Sequence, residues 1–360
     1  MGAYLFTLPP FLQGIIEPAG YNYWVRIKAW DLLKRDRKRK FPYALLSTVN
    51  QYKEAIHDAV MQSSSTDPYS GDTLVWRLIG TWDPNQAKKD PQYEKQFYLM
   101  PTIDHINPYA NFLAFEICSW EINAAKSFLN PSEFVSLCDK IVTYRNPGQL
   151  LAISTYPPQD SSTPVSINSS ASQTVNPTIL HPLSPTHNPL SLFLSKLFNI
   201  STFKLFAISF FDPPLVYPLP NFLQGICSQN QYGAWLLLRA KELYNRDKKN
   251  CKVCALHSSR SLYRKAIHAA VNEGDLFDPY TRDVMDWQRI GTWDSTTGKD
   301  NHDIFRKEFT MLPTVDHKDP EMKALDFEIC SWLINCCKSG RTPQEFIALC
   351  KRVASYCARM

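Results

Sequence analysis

PTIDHINPYANFLAFEICSWEINAAKS (101–127) returns as PTVDHKDPEMKALDFEICSWLINCCKS (313–339), and this pair decides the reading of the chain. In each stretch an Asp-His pair closes a strand-like run, and an Asn-x-x-Lys follows on a segment of helical pattern. Outward from it, LPPFLQGI (8–15) matches LPNFLQGI (219–226), and AIHDAV (55–60) matches AIHAAV (266–271). DPYS (67–70) matches DPYT (278–281), IGTWD (79–83) matches IGTWD (290–294), and Asp36 meets Asp247. These pairs lie 211 residues apart, and the spacing becomes 212 from PTIDH onward. A single slip over such a span marks a tandem duplication, and the period is too long for a solenoid. Each copy is therefore expected to be a domain, the first over 1–147 and the second over 212–360, with 148–211 as a connection.

The length of 360 residues agrees, since it holds about two domains of roughly 150 residues. With 44% hydrophobic and 20% charged residues, a packed core is within reach and global disorder is excluded. The net charge of +5 permits a nucleic-acid partner without demanding one. Ten Cys are too sparse for a disulfide scaffold. The opening MGAYLFTLPPF lacks the charged start and long apolar core of a secretion signal, so a reducing, cytoplasmic setting is the expectation. The connection begins rich in Ser, Thr and Pro, as an extended solvated linker would be. It ends in the apolar LSLFLSKLFNISTFKLFAISFF (190–211). That length suits a membrane helix, but Lys196 and Lys204 argue against one and for a linker or packing segment. Read-through between two adjacent duplicated genes would also leave such a segment.

Within each copy, WVRIKAWDLLKRD (24–36) and WLLLRAKELYNRD (235–247) read as amphipathic helices running into basic tails at 34–41 and 245–252. A second helix is expected at 51–62 and 262–273, then a turn at DPYSGD and DPYTRD. LVWRLIGTWD (74–83) and MDWQRIGTWD (285–294) read as strands, and FEICSWEINAAKS (115–127) with its counterpart as a helix. The last segments, 130–144 and 342–356, read as helices capped at Ser132 and Thr342. The expected class is α+β, two tandem mainly helical domains.

The run Pro-Thr-x-Asp-His, then Ile-Cys-Ser-Trp-x-x-Asn-x-x-Lys, resembles the HNH, or ββα-metal, nuclease family, over about 65–145 and 276–357. The resemblance implies a strand that delivers Asp-His, a loop that crosses back, and a helix that carries the Asn. It implies His105 and His317 as general bases, and Asp104 with Asn123 and Asp316 with Asn335 as oxygen ligands of a divalent cation, Mg²⁺ in the first place, with Mn²⁺ or Zn²⁺ as alternatives. Lys126 and Lys338 share a helix face with the Asn and are expected to meet phosphate. The family's loop-bracing Asn falls on Ala114 and Asp326, so Asp326 is expected to brace the loop or join the metal, and copy two to be the stronger catalyst. The family's knuckle cysteines are absent from DPYSG and DPYTR, and the lone Cys251-x-x-Cys254 has no second pair for zinc.

Two functions follow as expectations. One is a metal-dependent endonuclease on double-stranded DNA, its copies forming an intramolecular pseudo-dimer away from any membrane. The other is a non-catalytic DNA-binding or interaction protein that keeps a degenerate fold of this kind. His57, His268, Trp82, Trp293, Cys118 and Cys330 read as packing residues. The basic run at 34–40 fits a solvated face and a phosphate contact equally.

Overall fold

A computed structural model describes residues 5–90, 92–107, 112–145, 217–250, 252–292, 307–321 and 323–360. Residues Met1–Pro147 and Tyr217–Met360 form one compact unit, so both copies share it. Gly148–Val216 form a second unit; the readings made for the linker and for 190–211 lie outside the described residues, as do Trp293 and Cys251.

The fold is mixed α+β, mostly helical, with two small two-stranded antiparallel sheets. Repeat one runs α1 (Pro18–Lys38), α2 (Pro42–Leu46), α3 (Val49–Gln62), α4 (Pro84–Lys89), β1 (Pro101–His105), β2 (Phe115–Ser119), α5 (Trp120–Lys126) and α6 (Pro131–Arg145). Repeat two runs α7 (Gln229–Lys249), α8 (Val253–Leu256), α9 (Arg260–Glu273), β3 (Pro313–His317), β4 (Phe327–Ser331), α10 (Trp332–Lys338) and α11 (Pro343–Cys357). Among the described residues no helix is long and apolar enough to cross a membrane.

Helix α1 buries Tyr21, Trp24, Val25, Ala29, Leu32, Leu33 and Asp36, the three- and four-residue spacing of one helix face. The basic run expected as a tail is instead its last turn, where Arg35, Arg37 and Lys38 meet the negative end of the helix dipole. Helix α3 starts on a capping box between Thr48 and Gln51, and α11 on one between Thr342 and Glu345. At the start of α6 the cap is Asn130 rather than Ser132. The Asn130 Oδ1 accepts the Glu133 N–H at 2.9 Å while the Glu133 carboxylate accepts the Asn130 N–H at 2.9 Å.

Two expected elements change type. Among the described residues of the segments read as strands, the regular structure is a single 3₁₀ turn in each, Trp76–Leu78 and Trp287–Arg289. The indoles of Trp76 and Trp287 are drawn into the core, and Gly80 and Gly291 turn the chain at φ 76° and 79°. FEICS is a strand in both repeats, and the helix begins only at Trp120 and Trp332, capped by Ser119 and Ser331. The period-two burial explains it. Phe115 and Ile117 enter the core of repeat one, Cys118 points into a different core, and β1 is present to pair. In that register Asp104 lies opposite Glu116 and His105 opposite Phe115, and Asp316 and His317 lie opposite Glu328 and Phe327.

Among the described residues there are three cores. One gathers α1, α3, Trp76 and the inner faces of β1 and β2, and a second repeats it with α7, α9, Trp287, β3 and β4. The third belongs to both repeats and joins Ile122, Phe134, Leu137, Cys138 and Ile141 to Ile334, Phe346, Leu349, Cys350 and Val353. Reciprocal ion pairs flank it. Lys95 to Glu345 (2.6 Å) answers Lys307 to Glu133 (3.4 Å), and Arg352 to Asp72 (3.2 Å) answers Lys140 to Asp283. Such reciprocity is that of an isologous, two-fold contact, here made within one chain.

Candidate functional site

The Asp-His pairs end β1 and β3, but their surroundings come from elsewhere in each repeat. His105 is 4% exposed and His317 is 8% exposed. The His105 Nε2 lies 3.0 Å from Asp36 Oδ2, and the same oxygen accepts the Tyr52 hydroxyl at 2.9 Å. The His105 Nδ1 lies 3.3 Å from Arg35 Nη2. Repeat two repeats this: His317 Nε2 to Asp247 Oδ2 at 3.1 Å, Tyr263 hydroxyl to the same oxygen at 2.9 Å, Arg246 Nη2 to His317 Nδ1 at 3.3 Å. A guanidinium only donates, so Nδ1 is the ring acceptor and Nε2 carries the proton given to the carboxylate. In each centre Nδ1 is turned to an arginine whose side chain is 43% exposed at Arg35 and 55% at Arg246.

Burial acts to raise the Asp36 and Asp247 carboxyls. The hydrogen bonds from His and Tyr and the field of the neighbouring Arg outweigh it, so both are held below the ordinary carboxylate range. The Tyr52 and Tyr263 hydroxyls are pushed up, by burial first and by the neighbouring Asp second, or in repeat two by Cys254 and Asp247. The Asp36 Oδ1 has no hydrogen-bond partner among the described residues, and Arg35 Nε stands 3.6 Å from it.

Asp104 and Asp316 face a different group. Lys126 and Lys338 are each 1% exposed, with Nζ 3.0 Å from Asp104 Oδ2 and 2.8 Å from Asp316 Oδ2. The first contact is an ion pair without hydrogen-bond alignment; the second is also a hydrogen bond. Lys126 Nζ donates to the Leu129 carbonyl at 2.7 Å, and Lys338 Nζ to the His317 carbonyl at 3.0 Å. The lysines expected at phosphate are thus internal counter-ions. A solvated ammonium would leave Asp104 and Asp316 buried and uncompensated, and the fold avoids that cost. Asn123 Nδ2 reaches the Ile103 carbonyl and Asn335 Nδ2 reaches Thr314 Oγ1, both at 3.4 Å, so each ties its helix to the neighbouring strand.

The residue set does not fit a divalent cation in this arrangement. A cation needs several oxygen or imidazole donors with lone pairs free, whereas Asp104 and Asp316 already hold an ammonium and a backbone N–H. Among the described residues no three His, Cys, Asp or Glu side chains converge as a cation site. Asp326 does not join the His317 centre: its side chain is exposed and pairs with Lys318 Nζ at 3.0 Å across the base of the loop, where repeat one has Ala114 and Ile106. The loop is held instead by backbone, Ile106 N–H to the Ala114 carbonyl and Lys318 N–H to the Asp326 carbonyl, both 3.1 Å. Ala114 and Asp326 are equivalent in that backbone bond, and the exposed Lys318–Asp326 ion pair is all that Asp326 adds to it.

The DPY turn clasps the unit from below. Asp67 Oδ1 accepts the Tyr69 and Ser70 N–H groups, and its Oδ2 accepts the Ser119 N–H at 2.6 Å. Asp278 does the same with Tyr280, Thr281 and Ser331. The Tyr69 hydroxyl donates to Glu116, and that of Tyr280 to Glu328 at 2.6 Å. Burial above all pushes the Glu116 carboxyl up to about 7, and Glu328 is raised as well.

His57 and His268 bond through Nδ1 to the hydroxyls of Tyr21 and Tyr232 at 2.7 Å, as packing residues do. Trp82 is half-exposed against Tyr93, Phe97 and Trp120. Sequence reasoning missed Asp36, Tyr52 and Arg35 with their counterparts as parts of the centre. The signal was there in one respect: Asp36 and Asp247 align at the repeat offset and sit on an otherwise apolar helix face. Comparison of the chain with family models, with curated proteins and with solved structures found no match.

Proposed function

We propose that the chain binds DNA and hydrolyses its phosphodiester bonds, each repeat supplying one HNH-like centre and the two centres acting as an intramolecular pair. The observation that carries this reading is the Asp–His–Arg arrangement, built twice with the same donors and acceptors. A carboxylate that holds Nε2–H fixes the tautomer and stabilises the imidazolium that forms when Nδ1 takes a proton. An arginine fork is the side chain best matched to phosphate oxygens. Phosphate drawing Arg35 or Arg246 outward bares Nδ1 at the moment substrate arrives. Water then bonds through oxygen to phosphorus, its proton passes to Nδ1, and the leaving oxygen departs with its electron pair and is protonated by solvent.

A second reading, a DNA-binding or interaction protein without catalysis, is favoured by one observation. The imidazoles are almost fully buried, and Asp104 and Asp316 are already neutralised by lysine. The test is plasmid cleavage by the full chain with Mg²⁺, Mn²⁺ or Zn²⁺, alongside a gel shift in chelator. Cleavage lost in the double variant His105→Ala/His317→Ala supports the first reading. A gel shift without cleavage under any metal supports the second, and neither activity overturns the first and leaves of the second only a protein that binds partners other than DNA.

A further inference from the structure

The shared core is two-fold in the ion pairs that flank it but not in its centre. Glu121 of α5 is buried, and Arg341, before α11, is 2% exposed. Arg341 donates from Nη2 to the Glu121 carbonyl at 2.8 Å, and its Nε stands 3.5 Å from Glu121 Oε1. Arg352 Nη2 adds a contact to Glu121 Oε2 at 2.5 Å. At the 212-residue offset the counterpart of Glu121 is Leu333 and that of Arg341 is Leu129. Leu129 belongs to the shared apolar core, and Leu333 packs against it. One side of the two-fold thus holds a buried ion pair, and the other holds leucines.

We propose that this asymmetry makes the contact surface of each repeat specific for the other kind of repeat, and bars pairing of like repeats between chains. In a pairing of two second repeats, Arg341 would face Leu333 twice, leaving two buried guanidinium groups without a carboxylate. In a pairing of two first repeats, Glu121 would face Leu129 twice and lose Arg341, keeping only Lys140 in the place of Arg352. Burying an unpaired charge costs far more than a matched ion pair or a matched apolar pair. Specificity of this kind rests on the penalty against the wrong partner. The tether supplies proximity, and the Glu121–Arg341 pair supplies discrimination.

The experiment uses the full chain and the leucines that the opposite side already carries. Glu121→Leu and Arg341→Leu should each lower the Tm, by roughly 5–10 °C. The double variant in one chain should recover most of that loss, because it recreates on this side the apolar arrangement of the other. The two single variants carry different tags and are co-expressed. By exchanging repeats they satisfy every contact. One pairing then unites the two leucine replacements, and the other unites the native Glu121 with the native Arg341, so a 1:1 dimer by mass is expected. Expressed apart, neither variant should form one. The proposal is overturned if the single variants melt with the wild type, if the double variant is no better than either, or if the co-expressed chains purify as separate monomers.

Discussion

Around His105, repeat one places Asp36, Tyr52 and Arg35; around His317, repeat two places Asp247, Tyr263 and Arg246, and the matching distances differ by at most 0.1 Å. Where the repeats face each other they diverge: Glu121 against Leu333, Leu129 against Arg341, and Gly71 against Arg282. A buried polar centre whose groups satisfy one another resists single changes, since each leaves an orphan in low dielectric. An interface tolerates change when both sides move together. The difference between the two regions separates what the duplicated chain must keep in each copy from what it needs once per molecule.

The largest effect expected is on cleavage. His105→Ala and His317→Ala should each abolish cutting by their own centre, a loss of about 10²–10⁴ in that centre's rate, and the two losses should be equal. Plasmid nicking and linearisation read this directly. A centre that survives loss of its imidazole would break the equivalence. Next is stability. Asp36→Ala leaves His105 and Tyr52 without their shared acceptor and Arg35 without its counter-charge, as Asp247→Ala does in repeat two, and each should cost about 3–5 kcal/mol in urea unfolding. A gap of more than about 1 kcal/mol between the two would show that the centres are not interchangeable.

Gly71 and Arg282 give a sharper contrast. Both have positive φ, 73° and 60°, but a Cβ at Gly71 would overlap the Tyr356 ring, whereas Arg282 stands over Tyr144 and Phe277. Gly71→Ala should destabilise by about 1–3 kcal/mol, and Arg282→Gly should cost much less because it relieves left-handed strain. Paired thermal melts check this, and equal effects would contradict the packing asymmetry.

The smallest effect is on pH dependence. The folded chain lifts Glu116 from 4.5 to about 7, so it holds that proton more tightly than the unfolded chain does. Its contribution to stability is complete below the unfolded value and is lost as pH rises through about 7. Glu116→Gln should therefore flatten the decline in urea midpoint between pH 5 and pH 8. Glu328→Gln should flatten it less, because Lys338 stands 3.8 Å from Glu328 and favours its charged form.

The duplication, helices α1, α3 and α6 and their counterparts, and the Asp-His at a strand end were legible because each is carried by local period or by repetition. FEICSW was not. Phe115, Cys118 and Ile122 are spaced as a helix would space them, and only pairing with β1 and two cores on opposite faces make the first five residues a strand. The centre was half legible for the same reason. Asp36 reaches His105 across 69 residues of chain, and Lys126 reaches Asp104 across 22, distances over which no periodicity speaks. The need for neutrality in a dry interior would have hinted that a buried Asp104 requires a cation, without naming lysine or metal.

The shared core also sets an order of events on the ribosome. Helix α6 is complete at Arg145, but α11, which covers it, ends at Cys357. At about 5–20 residues per second, translation takes roughly 10–40 s to cross that interval. Throughout it, the nascent first repeat presents Leu129, Phe134, Leu137 and Ile141 to whatever is near, including identical nascent repeats on the same polysome. Glu121, set among those residues, keeps that waiting surface from closing on its own kind until Arg341 emerges.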